Sequence, residues 1–200
     1  MPSDFLLVRH GQTDWNLNRR IQGSVDIPLN SLGYAQAAAT ASAFASRPFD
    51  LIATSHLDRA IVTGKQIGLT WQREVAIDAR LTERGHGRYE GWSWPEVVAH
   101  VGEEHADEFF QHSPELEAWD NVKSRMIDAL TGIAHDMGSG VAVVVSHGGS
   151  IRALISAIQG VHHRSLSSLN NCSITHVRFD GEWSVLDYNN VEHLPADLRS

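Results

Sequence analysis

The chain has 200 residues, a formal net charge of -8 and a single cysteine, Cys172. This length suits one domain with a sizeable core, and the acidic balance argues against a nucleic-acid partner, which requires a basic surface. One cysteine excludes an internal disulfide and fits a reducing compartment, with Cys172 expected as a small buried side chain. No apolar run is long enough to span a bilayer, so we expect a cytoplasmic protein without membrane contact.

The first half of the chain predicts alternating strands and helices. The apolar residues that lead from Phe5 to Arg9 are typical of a buried strand, and an irregular connection extends from there to residue 28. A helix is predicted over residues 32–45, capped by Asn30 or Ser31, and a strand over residues 51–54. A second helix is predicted over residues 57–67, and a short strand over residues 74–77.

The second half continues this alternation. Ser93 and Glu96 have the spacing of a capping box, which predicts a helix through about residue 101. A longer helix is predicted over residues 121–137, a strand over 141–146, a helix over 150–159, and a closing hairpin over 173–179 and 183–188. We therefore predict one α/β domain over residues 1–200, a three-layer sandwich with helices on both faces of a mostly parallel central sheet.

Two strands of this prediction end on a histidine followed by a glycine. Arg9-His10-Gly11 follows the first strand, and His147-Gly148 follows the strand over residues 141–146. Open α/β sheets bind ligands at the carboxyl ends of their strands, so both imidazoles are expected at one site. With Arg59 and Glu83 between them in sequence, this set suits phosphoryl transfer through a phosphohistidine, because arginines match phosphate oxygens and an imidazole can act as the nucleophile.

An ordered set of motifs carries a resemblance to a known family. The set consists of Leu7-Val8-Arg9-His10-Gly11-Gln12-Thr13-Asp14-Trp15-Asn16, Gln22-Gly23, Leu29-Asn30-Ser31-Leu32-Gly33-Tyr34-Ala35-Gln36-Ala37, Ser55-His56-Leu57-Asp58-Arg59-Ala60, Leu81-Thr82-Glu83 with Glu90-Gly91, and Val145-Ser146-His147-Gly148-Gly149. In this order the chain resembles the histidine phosphatase superfamily, which also holds the cofactor-dependent phosphoglycerate mutases. The resemblance covers most of the chain and implies the same α/β fold.

The residues and the resemblance together define a candidate site. His10 is the candidate nucleophile, while Arg9, Arg59 and His147 are expected to bind the non-bridging phosphate oxygens. The resemblance adds Asn16, Gln22 and Gly23 as further phosphate contacts. Arg84 is added because the acidic chain requires a locally basic pocket for a phosphate, and Gly148, next to His147, completes the predicted phosphate-binding set.

Glu83 is the candidate general acid and, in a second step, the base that activates water. We expect a raised pKa for this carboxyl, because it has to protonate an alkoxide leaving group. The chain has 12 histidines, but none forms a His-x-x-x-His helical pair or a Cys/His cluster. No metal and no other cofactor are therefore expected.

Three functions are weighed for this site. The first is a metal-independent phosphomonoesterase that hydrolyses small phosphorylated metabolites. The second is a cofactor-dependent phosphoglycerate mutase, which the resemblance disfavours because mutases carry a longer arginine- and lysine-bearing insertion after the Glu83 motif. The third, a catalytically inactive phosphate-binding module, is disfavoured because every chemical position is filled. The resemblance is also compatible with a homodimer.

A lid-like insertion is expected around residues 84–120. Residues 85–122 hold nine acidic side chains against one arginine, Arg88. If these acids face the ligand, bisphosphates should be poor substrates compared with singly phosphorylated compounds. The alternative interpretation is that the acids line the outer face of the lid helices and never contact the ligand.

Overall fold

The computed structural model describes residues 2–200, and its elements follow the predicted alternation. The strands are β1 (Ser3–Arg9), β2 (Leu51–Thr54), β3 (Val75–Ile77), β4 (Gly140–Ser146), β5 (Ile174–Phe179) and β6 (Trp183–Asn190). The helices are α1 (Asp14–Leu17), α2 (Ser31–Phe44), α3 (Asp58–Leu69), α4 (Trp94–Val101), α5 (Glu103–His112), α6 (Trp119–Met137) and α7 (Gly148–Gln159). Among residues 2–200, no helix combines the length and the apolar character that crossing a membrane requires.

A single six-stranded sheet lies at the centre, in the order β3-β2-β4-β1-β5-β6. The first four of these strands are parallel neighbours, while β5 and β6 form the antiparallel hairpin that the sequence predicts. Side chains alternate along β1. Phe5 and Leu7 pack with α6 and α7 on one face, and Leu6 and Val8 pack with α2 and α3 on the other. The predicted three-layer sandwich is confirmed.

The predicted helix starts rest on the expected caps. Asn30, one of the two residues proposed to cap α2, accepts a hydrogen bond from the Gly33 N–H through its side chain. Ser93 and Glu96 form the predicted capping box of α4.

Two helices are absent from the prediction. The four-residue helix α1 lies in the stretch after β1 that the sequence indicated as irregular, and α5 lies where no element was predicted. Ala106, Phe109 and Phe110 follow helical spacing, but they are the only apolar residues among the ten of α5, so the sequence signal is short.

The 84–120 segment has an apolar cluster of its own. Tyr89, Val97 and Leu116 form its buried centre, separate from the two clusters that cover the sheet. The segment is anchored to the rest of the molecule by polar contacts, such as those between the Glu90 carboxylate and the backbone and side chain of Ser24.

Candidate active site

The parallel pairing of β1 with β4 brings the two motif histidines together. Arg9 pairs in register with Ser146, so His10 and His147 leave the sheet side by side. Their ring centroids lie 5.1 Å apart, and both rings are buried. We call the group formed by His10, His147, Arg9 and Arg59 the histidine floor.

His10 is held as a neutral imidazole with one nitrogen engaged. Its Nδ1 lies 2.7 Å from the carbonyl oxygen of Gly11, and because a carbonyl only accepts, Nδ1 carries the hydrogen. Nε2 is then left with a free lone pair. Burial, together with the positive charges of Arg59 and Arg9, holds the pKa of His10 well below its ordinary value.

Gly11 allows this arrangement through its lack of a side chain. A Cβ at Gly11 would lie only 2.5 Å from the carbonyl oxygen of Gly33 in α2. The Gly11 N–H donates to the Thr63 hydroxyl of α3, 3.2 Å away. The turn after β1 is therefore clamped between α2 and α3, and His10 has a fixed backbone beneath it.

Arg59 is fully buried, Arg9 is partly buried, and carbonyl groups fix both side chains. Arg59, in the first turn of α3, donates to the carbonyls of Gly23 at 2.8 Å and Val25 at 2.7 Å. Arg9 donates to the carbonyl of Leu169. The Nε atom of each guanidinium is buried without a partner among residues 2–200. Each arginine thus keeps a buried donor available to an anion such as phosphate.

Glu83 caps the helix that follows His147. Its Oε2 accepts from the Gly149 N–H at 3.0 Å, and its Oε1 accepts from the backbone N–H groups of Ser150 and Arg84 and from the Ser150 hydroxyl. A Cβ on Gly149 would collide with this carboxylate. The fold therefore places Glu83 at the N-terminus of α7, the helix that begins directly after His147, where its charge acts on Arg9 and Arg59.

The expected raised pKa of Glu83 is wrong for the free protein. Burial raises the pKa of this carboxyl, but the N–H groups of Gly149 and Arg84 and the nearby positive charge of Arg59 outweigh burial and lower it. The carboxylate accepts hydrogen bonds at the positive end of a helix, which favours its charged form. A carboxyl group in this position becomes an acid only when a further negative charge enters the pocket.

The other residues predicted to contact phosphate lie around the histidine floor. Gly23 has a left-handed φ of 56° and presents its carbonyl to Arg59. Gln22 is buried and accepts a hydrogen bond from the Thr13 hydroxyl. Asn16 uses its side-chain oxygen to cap α1 and lines a cavity of about 640 Å³ together with Arg9. Gly148 lies against Arg9, whose Nε would be 3.3 Å from a Cβ at that position.

Arg84 is directed into the 84–120 segment. It donates to the carbonyls of Glu117 at 2.7 Å and Phe110 at 3.0 Å, and its guanidinium lies 4.2 Å from the ring centroid of Trp119. The Nη2 of Arg84 is buried without a partner among residues 2–200, so the expectation that Arg84 binds the phosphate stays a prediction. The partners of Arg84 lie far along the chain, so the local sequence around Arg84 does not reveal these contacts.

The sequence did not predict three polar residues whose side chains contact the site residues. Ser55 contacts the imidazole of His147, and Ser150 contacts the carboxylate of Glu83. Asn171 donates to the carbonyl of His10 at 3.0 Å. Ser55 and Ser150 each lie within the quoted motifs or one residue beyond, so their position at strand and helix ends was the available signal.

No metal-ligand set accompanies these residues. Within residues 2–200, no group of three or more His, Cys, Asp or Glu side chains is placed to hold a metal ion. Cys172 is buried as expected, and burial raises the pKa of its thiol to about 12.

Comparison with known proteins decides the family. The model of the histidine phosphatase superfamily (branch 1) matches residues 5–191. The chain belongs to this superfamily. It is 32% identical over 195 residues to an uncharacterized phosphatase, PhoE, of Bacillus subtilis (strain 168), a match that covers 96% of this chain and 97% of the relative.

Further relatives agree in fold and in the class of reaction. A metal-independent phosphoserine phosphatase of Arabidopsis thaliana is 34% identical over 205 residues, covering 97% of this chain and 84% of that protein. The structure of a mycobacterial glucosyl-3-phosphoglycerate phosphatase superposes with a TM-score of 0.85 at 26% identity, covering 96% of this chain and all of the other. These matches confirm the predicted superfamily, fold and phosphomonoester hydrolase class. Phosphoglycerate mutase-like proteins also occur among the relatives.

Proposed function

We propose that this histidine phosphatase is a metal-independent phosphomonoesterase that hydrolyses small phosphorylated metabolites through a phosphohistidine at His10. The observation that carries the proposal is the contact between His10 Nδ1 and the Gly11 carbonyl at 2.7 Å, which leaves Nε2 as a free nucleophile. The ring is buried, and its low pKa keeps the lone pair unprotonated at neutral pH.

In the first step, His10 Nε2 attacks phosphorus, and the bond between phosphorus and the ester oxygen breaks. Glu83 donates a proton to the departing oxygen, so the alcohol leaves neutral. The guanidinium groups of Arg9 and Arg59 and the His147 ring donate to the three non-bridging oxygens, which carry the charge during the transfer. The unpartnered nitrogens of all three side chains supply these donors.

In the second step, water attacks the phosphohistidine. Glu83 accepts the proton from water, the bond between phosphorus and nitrogen breaks, and His10 returns to its neutral form with inorganic phosphate as the product. Glu83 therefore has to alternate between acid and base. The bound phosphate anion raises the pKa of Glu83 by its negative charge, which offsets the hydrogen bonds from the start of α7.

The remaining predicted contacts are proposed to complete the phosphate site. Asn16 and Gln22 lie beside the turn after β1, Gly23 holds Arg59 through its carbonyl, and Gly148 leaves room for Arg9. We also propose a cytoplasmic location for the protein, and the homodimer compatible with the resemblance stays a prediction.

A mutase has to bind the carboxylate of phosphoglycerate and the second phosphate of its bisphosphorylated intermediate with cations, and the 84–120 segment is poor in them. Arg88 is exposed and paired with Glu115, and Arg84 donates to two backbone carbonyls, with only its Nη2 left without a partner among residues 2–200. The inactive module is disfavoured because the nucleophile, the cations and the acid all lie at one site. Hydrolysis is therefore the reaction that this arrangement favours.

The acidic residues of the segment do not support a repulsive wall. Most of them have partners of their own: Glu115 pairs with Arg88, Glu117 with Arg125, Asp107 with Arg164 and Asp120 with Lys123, while Glu96 caps α4 and Glu90 binds Ser24. The others, Glu103, Glu104 and Glu108, are exposed on α5. These partners favour the alternative interpretation, in which the acids line the outside of the segment and do not discriminate against bisphosphates.

A substrate screen tests the proposal. Inorganic phosphate release is measured over a panel of phosphate esters that includes phosphoserine and sugar phosphates, with and without chelator, and 3-phosphoglycerate isomerisation is followed in parallel. The expected result is hydrolysis that survives chelator and exceeds isomerisation. Isomerisation without net phosphate release would replace the proposed function by the mutase alternative, and activity that disappears with chelator would contradict the metal-independent mechanism.

A further inference from the structure

Ser55 lies behind the histidine floor, where its hydroxyl contacts the second histidine. It follows β2 directly and is fully buried. Its Oγ lies 2.7 Å from Nε2 of His147 and also accepts a hydrogen bond from the Leu57 N–H at 3.3 Å. The other imidazole nitrogen of His147, Nδ1, is buried without a partner among residues 2–200.

The charge state of His147 makes the position of one hydrogen decisive. Burial, Arg59 and His10 lower the pKa of His147 well below its ordinary value, so the ring is neutral near neutral pH. A neutral imidazole carries a hydrogen on only one nitrogen. With the hydrogen on Nε2, the ring would turn an Nδ1 lone pair toward a phosphate oxygen, and the two would repel. With the hydrogen on Nδ1, the same ring is a donor.

The contacts of Ser55 select between these two forms. Its oxygen already accepts from Leu57, so its own hydrogen is free to donate to Nε2 of His147. If Nε2–H were instead the donor, the buried Ser55 hydrogen and the buried Nδ1 lone pair would both lack partners, which is unfavourable for buried polar groups. If Ser55 donates, only the Nδ1–H awaits a partner, and a bound phosphate oxygen supplies it.

We propose that Ser55 is a positioning residue that fixes His147 in the Nδ1–H form, so that this ring presents a donor to the phosphate. The role of the phosphate rests on the proposed function, whereas the position of the hydrogen is a property of the free protein. The two can therefore fail separately.

The first test is nuclear magnetic resonance on the free, 15N-labelled protein. Long-range 1H–15N correlations distinguish a protonated from an unprotonated ring nitrogen, and the spectrum of His147→Gln assigns the His147 signals. The expected result is a protonated Nδ1 and an unprotonated Nε2. The reverse pattern in the wild-type protein would overturn the proposal, whatever the activity of the enzyme.

The second test compares Ser55→Ala and Ser55→Thr with Ser156→Ala as the control. Ser156 is a buried serine of α7 whose hydroxyl donates to the Ala153 carbonyl at 3.0 Å, so its loss removes a buried hydroxyl remote from the floor. Ser55→Ala should lower kcat/KM and weaken inhibition by orthovanadate about 10- to 100-fold, the size of a lost charged hydrogen bond. Ser55→Thr should restore both to within a few-fold, and Ser156→Ala should change neither.

The ring spectrum separates positioning from mere stability. Ser55→Ala should lose the Nδ1–H pattern, and Ser55→Thr should keep it. If Ser55→Ala folds, retains the Nδ1–H pattern and binds vanadate as the wild type does, Ser55 has no positioning role. If the wild type shows the Nδ1–H pattern but no substrate is hydrolysed, the proposed function fails while the assignment of the hydrogen stands.

Discussion

The histidine floor and the 84–120 segment both contain a buried arginine fixed by backbone carbonyls, yet the surroundings of the two guanidinium groups differ. Arg59 is held by the loop at residues 23–25 and keeps its Nε free beside the histidines. Arg84 is held by carbonyls of the segment itself and lies against the Trp119 ring. Each guanidinium keeps one buried nitrogen without a partner among residues 2–200, and we propose that Arg59 binds phosphate whereas Arg84 mainly packs within the segment.

Among substitutions that keep the nucleophile, the largest effect is expected from Glu83→Gln, which removes the acid and leaves the floor intact. Single-turnover phosphorylation by an alkyl phosphate should slow by about 10²–10⁴-fold, the usual contribution of a general acid. An activated aryl phosphate leaves with little protonation and should be affected far less. Urea unfolding provides the control, because glutamine cannot accept all the hydrogen bonds that the start of α7 directs at Glu83. Equal losses with both esters would remove Glu83 from the acid role.

A pair of matched substitutions tests whether the two arginines have different roles. Arg59→Met should lower kcat/KM by about 10²–10³-fold, the cost of removing one donor from a transition-state oxyanion site. Arg84→Met should affect vanadate affinity much less and should act mainly on the stability of the segment, measured by hydrogen exchange of its amides. Comparable losses of vanadate affinity in the two variants would show that Arg84 also binds the phosphate.

The smallest effect concerns stability and pH. His10 has a pKa below its ordinary 6.5 in the folded protein, so below pH 6.5 the unfolded chain binds more protons than the folded one. Folded stability should therefore fall with falling pH, by up to about 1.4 kcal/mol per pH unit from this group. His10→Ala should show a shallower decline in urea unfolding between neutral and mildly acidic pH. Parallel curves for the two proteins would mean that His10 is not held neutral.

The position of the two histidines could be predicted from sequence because it depends on short motifs at the ends of two strands. A buried strand that ends on Arg9-His10-Gly11 and another that ends before His147 place both imidazoles at the same sheet edge, whatever the details of packing. The end of a parallel strand fixes the position of the next residue within narrow limits. The predicted strand over residues 51–54 matches β2 for the same reason, since a short apolar run between polar neighbours has few alternatives.

The rest depends on contacts between residues distant in sequence. The low pKa of Glu83 comes from the N–H groups of α7, which begins 65 residues later, and the orientation of Arg84 depends on Phe110 and Glu117. Helix α5 has three apolar residues at helical spacing among ten, a signal too short to distinguish it from a loop without the contacts of its segment. The contact of Ser55 with His147 joins residues 92 positions apart, so the motif around Ser55 does not reveal it.

The most direct test of the central claim is to locate the transferred phosphoryl group. A substrate labelled in its phosphate is mixed with the enzyme, turnover is stopped in alkaline denaturant, which preserves phosphohistidine, and the labelled peptide is sequenced by mass spectrometry. We expect one phosphohistidine, at His10. The His10→Ala protein should fold but should neither turn over substrate nor become labelled. Label on another residue, or near-normal turnover by His10→Ala, would contradict it.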